Sequence, residues 1–461
     1  MHIQRSLLSR AAAPLLVTAA LLLGCSSGET SGRETPAGES QFGIDGSQSL
    51  TSLAVGADGA IALTGSFDHT IDFGALGTSK LVSAGGPDVF VAVLGPSGDQ
   101  RWSGRTGSDG VQQGTGIALT KDGEVLLAGN FSGTVNFGLG KLESMATNAF
   151  LCRFDRDGNA LWSKVLGADS LGQVNVSGLA LAPDDSVFVG GSFDGTQNFG
   201  AGEIMAAGTS SFIARYDTQG RHLFSIALAG QSNQITALAV DSNGAVIFGG
   251  VNSGSIVFGK EFSSVDGSGF VGRLEPNGTP GWLIQLGGHS SVSSVAVSKG
   301  GDVVLGGTYS GQVTFGDNTS STSFLQGGFV AKLSSAGAPL WFKSFESADS
   351  RSEMNFGAIA IDDAERVLFT GSLRGTIDLG GGPVTSDGFN EHMFLAELDK
   401  NGSYQRSKGF GGSGGSIGTA LALDPAGGVV YGGTFSGSLQ GAVEMHQSKS
   451  PQDILVVRQP E

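Results

Sequence analysis

The sequence predicts an all-β protein, a seven-bladed β-propeller with four-stranded antiparallel blades whose last blade is closed by the N-terminal strand. Three observations predict it. A unit recurs seven times, marked by Gly65, Gly129, Gly191, Gly250, Gly307, Gly371 and Gly433, roughly 57 to 64 residues apart, a period that belongs to blades or arrays. Each unit divides into four strand-like pieces. The seventh unit lacks its fourth piece, and a spare one stands ahead of the first unit. Length alone, at 461 residues, suggests about three domains, but repeated units share one continuous core. The 78 glycines and 12 prolines have no triplet order and suit short strands joined by tight turns.

The first piece of each unit has an apolar–Ala–apolar centre, as in Leu53-Ala54-Val55, Ile117-Ala118-Leu119 and Leu421-Ala422-Leu423. Alternation puts the large residues on one face and the Ala on the other. A small inward residue is what a wedge-shaped blade needs where sheets crowd together. The second piece is a near-continuous apolar run ending in the marker Gly, such as Val125 to Gly129, as expected of a strand covered on both faces. Asp58-Gly59, Asp122-Gly123 and Asn243-Gly244 join the two as hairpin turns.

The third piece reads large–large–small–variable–large, as in Phe150 to Phe154, Phe212 to Tyr216 and Phe329 to Leu333. Cys152 takes its small slot, filled elsewhere by Ala92, Ala214, Gly272, Ala331 and Ala396, and is expected to be buried and inert. The fourth piece carries an aromatic four residues after a turn Gly. All four tryptophans, Trp102, Trp162, Trp282 and Trp341, fall in this slot, with Phe224 in the third unit and Arg406 in the sixth. That regularity predicts packing between blades. Asp453 to Glu461 supply a third piece with no fourth, while Gly38 to Phe42 repeat the Gly-x-x-x-aromatic spacing ahead of the first unit. Pairing the two would remove a free sheet edge.

The combination of Ala239 to Gly244, Gly-x-aromatic and Phe-φ-small-Arg/Lys-φ-x-x-x-Gly resembles the seven-bladed β-propeller repeats of secreted bacterial proteins. The resemblance covers residues 38–461 and implies an extracytoplasmic setting but no common enzymatic activity. The Asp155-x-x-Gly158-x-x-x-Trp162 hairpin also resembles the tryptophan-docking motif of quinoprotein propellers, which have eight blades and a different first strand.

Residues 1–24 read as a targeting segment, with Arg5 and Arg10 ahead of an apolar run from Ala11 to Leu23. Leu22-Leu23-Gly24-Cys25 resembles the lipobox of bacterial lipoproteins. That resemblance implies lipidation of Cys25, a membrane anchor through that lipid and, with Ser26 following, outer-membrane sorting, either periplasmic or surface-exposed. Residues 25–37 are then the lipidated Cys and a flexible tether, and residues 38–461 the propeller. Without residues 1–24 the chain has 24 basic and 42 acidic residues, a net charge of −18. So acidic a chain, with no basic cluster, is a poor partner for nucleic acid. A monomer is expected.

No Ser elbow, phosphate loop or zinc spacing is present, so catalytic residues, metal ligands and cofactors are all expected to be none. The unit-to-unit loops carry Gln113, Asn175, Gln231, Asn233, His289, Glu353 and Asn355. Gathered on one propeller face, they would form a polar ring suited to a protein, peptide or glycan, although connecting loops are also polar simply because they are wet. The sixth unit concentrates charge in Arg351, Glu353, Asp362, Asp363, Glu365 and Arg366, which its spread over a loop and a turn marks as a solvated edge. The leading reading is a non-catalytic binding or scaffold lipoprotein at the outer membrane. The alternative is an extracytoplasmic enzyme, a lyase or glycan hydrolase, with its site on the ring face.

Overall fold

In the first unit the strands Gln48–Val55, Ile61–Phe67, Asp88–Leu94 and Gln100–Thr106 pair in that order as one antiparallel sheet. The other units repeat this order, with the third and fourth merged where Ala229 and Gly230 pair with Val257 and Ile256. The computed structural model describes residues 38–461 apart from 75–78, 168–171, 207, 231, 322–325, 347–350 and 387–388. Residues 1–24, Cys25 and the tether lie outside the described residues, as does Gln231. Every named element is a strand, and among the described residues no helix is long and apolar enough to cross a membrane. The fold is all-β and propeller-like.

The first strands touch in a closed cycle. Gln48–Val55 meets Gln112–Leu119, followed by Val174–Leu181, Asn233–Val240, Gly287–Val297, Glu353–Ile361 and Ser416–Leu423, and the last returns to Gln48–Val55. Hydrophobic clusters lie between neighbouring sheets. Leu126, Ala128 and Leu151 of the second unit pack with Val174, Val189 and Phe212 of the third. Leu50, Leu63 and Phe90 of the first pack with Val430, Ile454 and Val456 of the last.

The marker glycines have a steric cause. In each unit the first strand slips by one residue against the second, leaving Thr51, Thr115, Ser177, Thr236, Ser293, Gly357 or Thr419 unpaired at a bulge. The bulge drives a carbonyl onto the marker glycine. A Cβ on Gly307 would lie 1.9 Å from Ser291 O, and one on Gly433 1.8 Å from Ile417 O. Six of the seven bulge residues carry a hydroxyl, and three latch the next unit. Thr51 Oγ1 donates to Gly114 O at 2.5 Å and Thr419 Oγ1 to Leu50 O at 2.8 Å. Thr236 Oγ1 donates likewise to Val292 O.

The tryptophans dock between units. The indole N–H groups of Trp102, Trp162, Trp282 and Trp341 donate to Arg156 O, Thr218 O, Ser335 O and Lys400 O of the following hairpin. The hairpin glycine makes room: a Cβ on Gly158 would sit 2.7 Å from the Trp102 ring. Cys152 is fully buried in its small slot, and burial pushes its thiol pKa far up.

One expectation about the ends needs correction. Gly38–Phe42 pairs antiparallel with Asp453–Gln459, but Gly38 stands opposite Arg458, as Trp102 stands opposite Val93. The aromatic slot of the last sheet is therefore held by Gly38, and Phe42 lies four residues further along, packed on Phe73 at 5.0 Å. The Gly-x-x-x-aromatic spacing encodes a hairpin, and no hairpin joins these two strands.

Candidate functional site

The strands end at one side in tight hairpins and at the other in the connectors that carry the predicted polar residues. Gln113, Asn175 and Asn355 occupy one register position, opposite Asn130, Ser192 and Ser372, each one residue before the bulged step. In the fourth unit that position belongs to Gln234, opposite Val251. Asn233 precedes it, so the two-residue period turns it inward. It is buried, and its Oδ1 accepts the Ser211 N–H at 2.7 Å, which corrects its expected place on the ring face. His289 and Glu353 lie two residues before Ser291 and Asn355, on the same side of their strands, His289 exposed and Glu353 half-buried.

The structure joins the predicted residues of the fifth and sixth units through side chains the sequence did not single out. Gln326 Nε2 donates to Asn355 Oδ1 at 3.0 Å, and Asn355 Nδ2 to Glu391 Oε1 at 3.3 Å. Ser372 Oγ donates to Glu391 Oε2 at 2.7 Å. Arg374 lies between two carboxylates, 3.4 Å from Glu391 and 3.5 Å from Glu353, with its Nε buried and without a hydrogen-bond partner. Beside this cluster a hollow of about 430 Å³ is lined by His289, Ser290, Ser291, Tyr309 and Gln326, so Gln326 belongs to both. Gln113 and Asn175 stand on other strands of the cycle and join neither. Gln326 and Glu391 immediately precede their third strands, after loops of unequal length, so no spacing in the sequence points to them.

The charges grouped in the sixth unit separate in space. Glu353 turns to Arg374 at the connector side. Asp362 and Arg366 pair at 2.6 Å at the hairpin side, and Glu365 reaches Lys332 of the fifth unit at 3.0 Å. Arg406, the exception in the aromatic slot, bonds Glu397 at 2.7 Å. Glu397 takes the third-strand position that Arg153, Arg215, Arg273, Lys332 and Arg458 hold elsewhere. The slot has kept its ion pair and reversed its sign.

Among the described residues one group has metal-ligand geometry: Glu39, Glu444 and His446. Glu39 is already occupied. Its carboxylate accepts Val443 N–H at 2.8 Å and Glu444 N–H at 3.2 Å, and lies 2.7 Å from His446 Nε2. Burial pushes the Glu39 pKa up, but these donors outweigh it and hold the pKa below the ordinary glutamate value. The arrangement is a latch holding the Ser438–Gln440 and Met445–Gln447 hairpin to Gly38–Phe42.

No protein-family model matches this chain. An uncharacterized WD repeat-containing protein of Acanthamoeba polyphaga mimivirus is 27% identical over 159 residues, which are 31% of this chain and 11% of that protein. The regulatory protein FlaEY of Caulobacter vibrioides (strain ATCC 19089 / CIP 103742 / CB 15) is 24% identical over 374 residues, 73% of this chain and 38% of that protein. The chain thus spans well under two thirds of either relative. Among solved structures, YCF48 bound to a peptide is 9% identical, covers 93% of this chain and 96% of its own, and superposes with a TM-score of 0.41.

Proposed function

We propose that the chain is a seven-bladed β-propeller, closed by its N-terminal strand, that serves as an anchored, non-catalytic binding or scaffold module. The closure is supported by the cycle of first-strand contacts and by the pairing of Gly38–Phe42 with Asp453–Gln459. In this reading residues 1–24 are the signal segment, Cys25 carries the lipid and 25–37 tether residues 38–461 to the outer membrane. The lipobox-like Leu22-Leu23-Gly24-Cys25 stretch supports it.

Binding takes place on the connector side, where the fifth and sixth units meet, and the ligand is a peptide, protein segment or glycan. The observation that carries this is Arg374. Arg153 and Arg273 at the hairpin side are held by Glu124 and Glu275 at 2.5 and 3.0 Å, whereas Arg374 meets its two carboxylates at 3.5 and 3.4 Å and its Nε has no hydrogen-bond partner. A guanidinium held that loosely, beside the amides of Gln326 and Asn355, has donors to give a ligand oxygen.

The test is capture of synthetic peptide and bacterial glycan arrays by the protein, with Arg374→Gln and Gln326→Ala compared. Capture reduced about tenfold in folded Arg374→Gln, the loss of one charge-assisted bond, and several-fold in folded Gln326→Ala, the loss of a neutral one, is expected. Unchanged capture, or steady consumption of the captured molecule, would overturn the reading. Cys25→Ser should move the protein out of the membrane fraction, and quantitative membrane partition of that variant would sink the anchoring.

A further inference from the structure

The third strand of each unit places one residue at the junction with the next, opposite the aromatic slot. In the second unit it is Arg153, which pairs with Glu124 and donates to Asp185 O of the third unit at 3.2 Å. In the third it is Arg215, bonded to Asp184 and, at 2.7 Å, to Pro276 O of the fourth. Lys332 of the fifth reaches Glu365 of the sixth at 3.0 Å. Arg458 of the last unit forms an ion pair with Asp424 at 2.8 Å and donates to Gly59 O and Pro96 O of the first. Arg153, Arg215, Lys332 and Arg458 thus reach the neighbouring hairpin, whereas Arg273 pairs with Asp241 and Glu275 of its own unit.

The first unit departs from this. Its residue is Val93, and Ala60 stands where the second unit has Glu124. Both members of the ion pair are replaced by short apolar side chains, and the junction is open: a cleft of about 630 Å³ lies between the first and second units. Val93, Ala60 and Leu119 line it together with the Trp102 ring. Gly123, whose counterpart Gly59 accepts from Arg458, lines it as well, beside Asp122 and Asp157. Basic groups also border the cleft, but two are engaged. Arg101 is paired with Asp58 at 2.7 Å, and Lys121 bonds Pro183 O at 3.2 Å. That leaves Arg156 against two carboxylates.

We propose that this cleft binds an arginine side chain of a partner peptide, in the place that Arg458 fills between the last unit and the first. The stem lies along Val93, Ala60 and Leu119. The guanidinium reaches the Gly123 carbonyl and Asp122, with the Trp102 face beside it. This site is on the hairpin side and does not depend on the connector-side reading, so either can fail alone.

The probe is a capped Gly-Arg-Gly tripeptide titrated calorimetrically into the protein, with the citrulline tripeptide as the neutral isostere. Expected are saturable binding of the arginine peptide, binding at least about tenfold weaker for citrulline, and loss of about tenfold or more in Val93→Arg, whose own side chain closes the cleft. Asp122→Asn, at an exposed turn, should weaken the arginine peptide several-fold and decides the matter if Val93→Arg does not fold. Equal affinity for both peptides, undiminished affinity in folded Val93→Arg or in Asp122→Asn, or no arginine binding at millimolar peptide would overturn the proposal.

Discussion

Replacing Arg458 by Met tests whether the hairpin-side cations hold neighbouring units together. Arg458 and Asp424 are 2.8 Å apart with side chains only 5% and 1% exposed, and the same guanidinium serves Gly59 O and Pro96 O of the first unit. No aromatic assists it, since Gly38 occupies the slot opposite. Met keeps the apolar stem and removes every donor, leaving a buried carboxylate and two carbonyls short of a partner. Breaking one side of a buried ion pair costs about 3–5 kcal/mol. Urea unfolding, followed by the fluorescence of the docked tryptophans, should show a lower midpoint with an unchanged slope. Adding Asp424→Leu should recover part of the loss, because the stranded charge goes with it. The control is Arg221→Met, whose side chain is 76% exposed and paired with Asp217, and which should cost less than about 1 kcal/mol. Should Arg458→Met unfold at the wild-type midpoint, the guanidinium is not a latch and the junction is held by its apolar contacts alone.

Gly307→Ala forces a methyl group within 1.9 Å of Ser291 O, so the bulge must open. The expected loss is about 1–3 kcal/mol, while Gly178→Ala, with nothing within 4 Å of its Cβ, should melt close to the wild type. Glu39→Gln should cost about 1.5–3 kcal/mol at neutral pH, the value of hydrogen bonds to a charged acceptor. The folded-state pKa of Glu39 lies below its ordinary value. Its contribution is therefore present above that ordinary value and lost as pH falls through the folded pKa. Wild type and Glu39→Gln should converge in acid, and a difference that grows on acidification would contradict the latch.

The repeat was legible because it is built from residue types with single steric meanings. The marker glycines, the Ala centres and the tryptophan slot can each be read one unit at a time, and the sheet order follows from them. Four things were hidden. The register of Gly38 against Arg458 could not be read from a hairpin spacing, because no turn ties those strands. The bulge hydroxyls Thr51, Thr236 and Thr419 look like ordinary strand residues in the sequence, and their role appears only when a carbonyl of the next unit comes within reach. Asn233 stands one residue before Gln234, which holds the connector-side position, and one residue is enough in a strand to turn a side chain from solvent to core. The Gln326–Asn355–Glu391–Arg374 cluster joins two units through loops of unequal length, which no one-dimensional pattern aligns.

A chain of stacked repeats draws its stability from many similar nearest-neighbour junctions, and this bears on where binding evolves. Docked indoles and third-strand cations take acceptors of the next unit, and three bulge hydroxyls do so too. New chemistry can enter only where one of these is given up, and the departures are therefore the informative residues. At the hairpin side they are Val93, which drops the cation, and Glu397, which reverses it. Clefts of about 630 and 420 Å³ lie at the two corresponding junctions. The second is already occupied by the Arg366–Glu397–Arg406 pairs and by Arg366 with Glu461, so its charges are satisfied from within the chain. The first has lost the counterparts of Arg153 and Glu124, and the Arg101 that borders it is held by Asp58. On the connector side Gly357 is the one bulge residue without a hydroxyl, and its strand carries the Glu353 and Asn355 that meet Arg374. Giving up both members of an ion pair strands no charge, and so costs less than removing one partner of a buried pair such as Arg458–Asp424.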